Sequence, residues 1–184
     1  MNALINLHDA VFRRLNGISD CFLPTLARFT FAATLLVYYL NSAKLKLGDG
    51  FAGLYTPSNG AYFQIFPKAI EAAGYDVGSL GTYHTLVVLA GTWAEFILPV
   101  AIVLGLFTRL AALGMIGFIA MQTLTDLYGH GLIAQPESVG VWFDRFPDSV
   151  IMDQRLFWFV VLAILVFKGA GPLSLDRLLR RNRA

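Results

Sequence analysis

Apolar residues gather into four long blocks divided by more polar stretches. The first is LPTLARFTFAATLLVYYLNSA, residues 23–43, and the second is YHTLVVLAGTWAEFILPVAIVLG, residues 83–105. The third is TRLAALGMIGFIAMQTLTDLY, residues 108–128, and the fourth centres on LFWFVVLAILVF and covers 150–170. About 20 apolar residues in a helix cross a bilayer, so each block predicts one membrane span. The fourth reaches that length with Lys168 extending its side chain to the interface.

Ahead of the first block, residues 2–16 show helical periodicity. Leu4, Leu7, Val11 and Leu15 share a face, with Asp9, Arg13 and Arg14 away from it. This predicts an amphipathic helix lying on the interface, or packed against the bundle. The connections over 44–82 and 129–149 mix charges with Gly, Pro and aromatics, and a short helix is expected after Pro67. The predicted fold is one all-α domain over residues 1–184: a four-helix transmembrane bundle with an N-terminal interfacial helix.

Composition strengthens this reading. The chain is 57% hydrophobic and 14% charged, whereas soluble domains run nearer 45–50% and 25%. The net charge of +2 is too small to suggest nucleic acid as a partner. The placement of basic residues says more. Arg13 and Arg14 precede the first block, Arg109 sits at the tight turn between the second and third, and Lys168, Arg177, Arg180, Arg181 and Arg183 follow the fourth. Four spans put all of these on one side, predicting cytoplasmic termini and outward-facing long loops.

Cys21 is the only cysteine, which excludes an internal disulfide or dithiol exchange. No compact apolar core stands beside a small-residue cleavage site near the start, so a cleaved signal peptide is not expected.

Ionisable side chains inside spans are costly and tend to face the bundle interior, with a partner or a function. Glu95 is the clearest case, near the middle of the second span and one turn before Pro99. In AMQTLTDLYGHG, Gln122, Asp126 and His130 are spaced by four, which stacks them on one helical face. At about 1.5 Å per residue, Gln122 lies within one turn of the depth of Glu95. Tyr38, Asn41 and Lys44 approach the same level from the first span, and Trp93 from the second. These positions predict a polar cavity opening outward, with Glu95 at its floor and Arg28 at the opposite edge. Structural roles compete: Glu95 as half of an ion pair with Arg28 or Lys44, and Asp126 and His130 as polar ends facing water. One histidine with two carboxylates at staggered depths argues against a metal site.

The chain resembles the DoxX family, small four-helix membrane proteins of the DoxD-like group. The segments that carry the resemblance are LARF with Arg28, AKL with Lys44, Glu95 in the second span, LGLFTRLAAL across the turn, the His130 position, and GPLSLDRLL near the C-terminus. They occur in order over most of the chain, and the first outer loop is longer than is typical. The resemblance implies a multi-pass protein of the bacterial inner membrane. It also implies association with redox complexes, with partner subunits or a homodimer in the bilayer. A quinone is the one cofactor it suggests, held without a covalent bond. Glu95, Gln122 and His130, among aromatic residues, suit the hydrogen-bonding needs of a quinone ring. Two other functions fit the same sequence: a scaffold or accessory subunit without chemistry of its own, and a small proton-coupled transporter.

Overall fold

The computed structural model describes residues 2–181; Arg183, counted above among the basic residues, lies outside them. The described residues form helices and loops, with a single isolated β-bridge between Leu47 and Pro57. Four long helices dominate: α1 (Asn2–Lys46), α4 (Thr82–Leu104), α5 (Thr108–Gly129) and α7 (Met152–Lys168). Short helices occupy the connections: α2 (Asn59–Ile65), α3 (Pro67–Ala72), α6 (Pro136–Val139) and α8 (Leu175–Arg181). Helix α3 starts at Pro67, whose fixed φ and missing N–H suit a first helical position.

Three helices, α1, α4 and α5, are long and apolar enough to cross a membrane. Helix α7, with 17 residues, is about 25 Å long. Reciprocal hydrogen bonds set its start: Ser149 Oγ donates to Asp153 at 2.7 Å, and the Asp153 N–H donates back to Ser149 Oγ at 3.2 Å. The helix therefore begins at Met152 and not at residue 150.

The four helices close into a ring: α1 packs on α4 and α7, and α5 packs on the same two. Phe31, Leu35, Tyr39, Ile102, Ala112, Met115, Ile119, Leu162 and Leu165 fill the centre. Outside the ring, Phe29, Val37, Ile97, Leu113 and Val160 stay exposed. Apolar surface distributed over all sides of a bundle suits lipid as the surrounding solvent.

The expected separate interfacial helix is corrected here. Residues 2–16 run without a break into the first span, making one helix of 45 residues. Gly17 and Pro24 are the weak points at the junction, and the helix runs through both. Leu4, Leu7, Val11 and Leu15 are exposed and do not pack against the bundle. The same helix ends three residues beyond the expected 43, which brings in Lys46.

At one end of the bundle, the turn end, α4 and α5 are joined by Gly105–Leu106–Phe107. Gly105 adopts φ +69°, and its N–H and that of Leu106 reach back to the Ile102 and Ala101 carbonyls, a Schellman ending. Arg28 completes the cap. Its Nε donates to the Ile102 carbonyl at 3.0 Å and its Nη2 to that of Val103. Nη1 of the same guanidinium donates to Ala170, at 3.0 Å, and to Leu173. Asp176 then accepts the N–H groups of Phe107 at 2.7 Å and Thr108 at 2.9 Å. Its own N–H donates to the Gly105 carbonyl at 2.8 Å. Arg28 and Asp176 thus tie α1, the α4–α5 turn and the segment after α7 into one knot.

Candidate functional site

The opposite end, the loop end, holds the sequence-nominated polar residues. Glu95, Gln122, Asp126 and His130 fall into four separate groups and not one cavity.

Glu95, 5% exposed, faces α1. Lys46 Nζ donates to its two oxygens at 3.0 and 2.9 Å and to Ser42 Oγ at 2.6 Å, while Ser42 Oγ donates to Glu95 at 3.3 Å. Charge and acceptors are thus matched on the spot. The expected partners of Glu95 are corrected: Arg28 is at the turn end, and Lys44 is exposed, because residues 44 and 46 point about 200° apart on a helix. Lys46 and Ser42 fill the space assigned to a cavity floor.

Gln122 reaches α1. Its amide oxygen accepts from Tyr39 Oη at 3.2 Å, and its amide nitrogen donates to Tyr38 Oη at 3.0 Å. Asp126 instead pairs with Arg155 Nη2 of α7, whose Nη1 donates to Thr123 Oγ1 at 2.6 Å. Arg155 is 4% exposed, and its Nε has no hydrogen-bond partner among the described residues. His130 turns to the first loop, its Nε2 2.9 Å from the Gln64 carbonyl.

The four-residue spacing did not align these side chains because α5 widens into a π turn over Thr125–Gly129. The His130 N–H donates to the carbonyl of Thr125, five residues back. The wider turn changes the angular step per residue, so Gln122, Asp126 and His130 face α1, α7 and the loop in succession. Of the supporting residues, Trp93 donates from Nε1 to the Leu54 carbonyl at 3.2 Å and anchors the first loop. Asn41 is exposed, as is Tyr38.

Sequence reasoning passed over Lys46, Ser42 and Arg155. Lys46 lay beyond the limit drawn at residue 43, and Arg155 stood inside the fourth block but just ahead of its apolar centre at 156–167, where a charge passes for an interface anchor. The available signal was one of balance. Two carboxylates inside spans call for two cations within reach of them.

Beside the Asp126–Arg155 pair, a groove of about 420 Å³ opens sideways between α1 and α7. Thr34, Leu35 and Tyr38 form one wall; Gln154, Arg155, Phe157 and Trp158 form the other, with Val150 at the rim. A π turn at Ala32–Leu36 in α1 lies along it. Such turns often occur at functional sites. The Tyr38 and Trp158 rings lie 6.0 Å apart, centre to centre. Tyr38 Oη accepts from Gln122, and its own O–H donates to no group among the described residues. The groove therefore combines flat aromatic walls with a free phenol donor and a guanidinium held by Asp126 and Thr123. Such a lining suits an apolar ring bearing hydrogen-bond acceptors. No three His, Cys, Asp or Glu side chains among the described residues gather as metal ligands.

Compared with family models, curated proteins and solved structures, the chain matches none.

Proposed function

We propose that this chain is a multi-pass protein of the bacterial inner membrane and a four-helix bundle of the DoxX type. In this reading both termini are cytoplasmic, and the protein serves as a membrane subunit of a redox assembly. It holds a quinone head in the groove between α1 and α7. The observation that carries the reading is the free Tyr38 phenol on the wall of an aromatic groove open to the side.

The residues fit a quinone on chemical grounds. A quinone offers a flat ring and carbonyl acceptors, and the groove offers aromatic faces and one free O–H. When bound, a quinone supplies reversible two-electron, two-proton carrier chemistry. Tyr38 orients the ring by donating to a carbonyl oxygen, and Gln122 holds the phenol in place from behind. Asp126 pairs with Arg155 and fixes it at the back wall. Phe157 and Val150 lead from the groove toward lipid, the route open to an isoprenoid tail.

This places the ligand away from Glu95. A carboxylate sealed by Lys46 and Ser42 has both oxygens engaged and does not line the groove. The test is quinone titration of the purified protein, followed by quenching of tryptophan fluorescence. Tyr38→Phe keeps the ring and removes the donor, so affinity should fall about fivefold to tenfold, the worth of one hydrogen bond. Unchanged affinity would remove Tyr38 from the site.

A further inference from the structure

The turn end of the bundle carries a second cleft, of about 250 Å³, distinct from the groove. Arg109, Lys168, Arg177 and Arg180 line it, together with Asp20 and Asp176. We propose that this cleft binds the phosphate of an anionic phospholipid headgroup. The proposal rests on the membrane placement given above, and on neither the groove nor its ligand.

Charge accounting is the first support. Four cations face two carboxylates, and both carboxylates are already engaged. Asp20 takes Lys168 Nζ at 2.6 Å, and Asp176 takes the N–H groups of Phe107 and Thr108. Arg109 spends one N–H on the Phe167 carbonyl at 3.2 Å. Among the described residues, the Arg177 and Arg180 side chains donate to nothing in the chain. The cleft thus holds excess positive charge and unspent guanidinium donors, and a phosphate oxygen accepts from a guanidinium in two-pronged geometry.

The surroundings decide which phosphate. Phe107, Leu110, Phe167 and Leu173 stand within two residues of cleft-lining positions in the chain and are each more than 60% exposed. Helix α8 sets Leu175, Leu178 and Leu179 on one face and its arginines on the other. A free anion would satisfy the arginines and leave this apolar rim in water. A lipid satisfies both, with its phosphate in the cleft and its chains along the rim.

The cleft is also built before any ligand arrives. Arg28 fixes the Ala170 and Leu173 carbonyls, and Asp176 fixes α8 to the turn. A Cβ on Gly171 would come 3.0 Å from Pro24, so the backbone there is pressed against α1. Binding then spends little on ordering the site.

The test begins with an alkaline carbonate wash of membranes carrying the full chain. Release of the protein would overturn the membrane placement, and this proposal with it, before any lipid is measured. Retained protein is extracted in mild detergent, stripped of lipid and mixed with equal phosphatidylglycerol and phosphatidylcholine for native mass spectrometry. The expected result is adducts dominated by phosphatidylglycerol that 10 mM inorganic phosphate, roughly bulk buffer strength, leaves in place. Arg177→Gln with Arg180→Gln should reduce them more than tenfold, at about fivefold per arginine. Arg177→Lys with Arg180→Lys keeps the charge and loses the two-pronged geometry, so its binding should fall between the parent and the Gln variant, which separates lost charge from lost folding. Equal adducts of both lipids, full binding by the Gln variant, or displacement by inorganic phosphate would overturn the proposal.

Discussion

The Lys46 ammonium sits 3.0 and 2.9 Å from the two carboxylate oxygens of Glu95, with each side chain 6% exposed. Burying two charges is repaid only when they remain together, and removing one partner leaves the other uncompensated. Lys46→Met should therefore destabilise the protein by about 3–5 kcal/mol, read as a drop in melting temperature in detergent. Lys46→Met combined with Glu95→Leu should recover most of that loss. A double variant as unstable as the single one would mean that the pair is not the source of the effect.

Asp126 and His130 belong to the same nominated row but should respond differently. Asp126→Asn leaves Arg155 buried without its counter-charge, at a cost of about 2 kcal/mol once the partial exposure of Asp126 is allowed for. His130→Ala loses one exposed hydrogen bond to the Gln64 carbonyl and should cost about 1 kcal/mol or less. Melting curves of the two variants, recorded side by side, check the ranking.

Gly105 has φ +69°, and an added Cβ would lie 2.5 Å from Cβ of Ser174. Both the left-handed backbone and the crowding penalise any side chain there. Gly105→Ala should loosen the segment holding Ser174 and Asp176, costing more than about 1 kcal/mol. Limited proteolysis should then cut after residue 168 at lower protease concentration than in the parent protein. An unchanged digestion pattern would show that the knot tolerates the extra carbon.

The same knot should respond to acid. Partial burial alone would raise the Asp176 carboxyl, but bonds from Thr108 and Phe107 and the nearby Arg180 outweigh it and hold it below the usual aspartate range. The folded state therefore binds fewer protons than the unfolded state in that range. The Asp176 contribution is complete above the ordinary carboxylate value and is lost as pH falls through the lower, folded one. Amide exchange at Phe107 and Thr108 should accelerate over that acidic window. In Asp176→Asn the exchange should already be faster at neutral pH and should lose that step.

Much of the architecture could be read from hydrophobic pattern alone, and the reasons are physical. A lipid-facing helix needs an unbroken apolar run, so α4 and α5 appear at nearly the predicted limits, and the Gly105 turn between them is explicit in the sequence. The ends were less legible. Lys46 falls beyond the boundary drawn at residue 43 and Arg155 just ahead of the apolar centre at 156–167, and yet each completes an ion pair. The candidate site was misread for a different reason. Equal spacing of Gln122, Asp126 and His130 implies one face only on a regular helix, and nothing local in TDLYG announces the π turn. The segments behind the family resemblance also acquire a meaning that spacing did not supply. LARF, GLFTRLAA and GPLSLDRLL meet through Arg28, Gly105 and Asp176, so they report how the turn end is tied and not what the groove between α1 and α7 holds.

The central claim is that a quinone head occupies the groove between α1 and α7. The most direct measurement is photolabelling of the detergent-solubilised protein with an azidoquinone, with adducts mapped by peptide mass spectrometry. Saturable labelling within residues 34–38 and 154–158, suppressed by excess unmodified quinone, is the predicted result. Saturable labelling around Glu95 instead, or labelling that excess quinone does not suppress, would contradict the assignment of the groove.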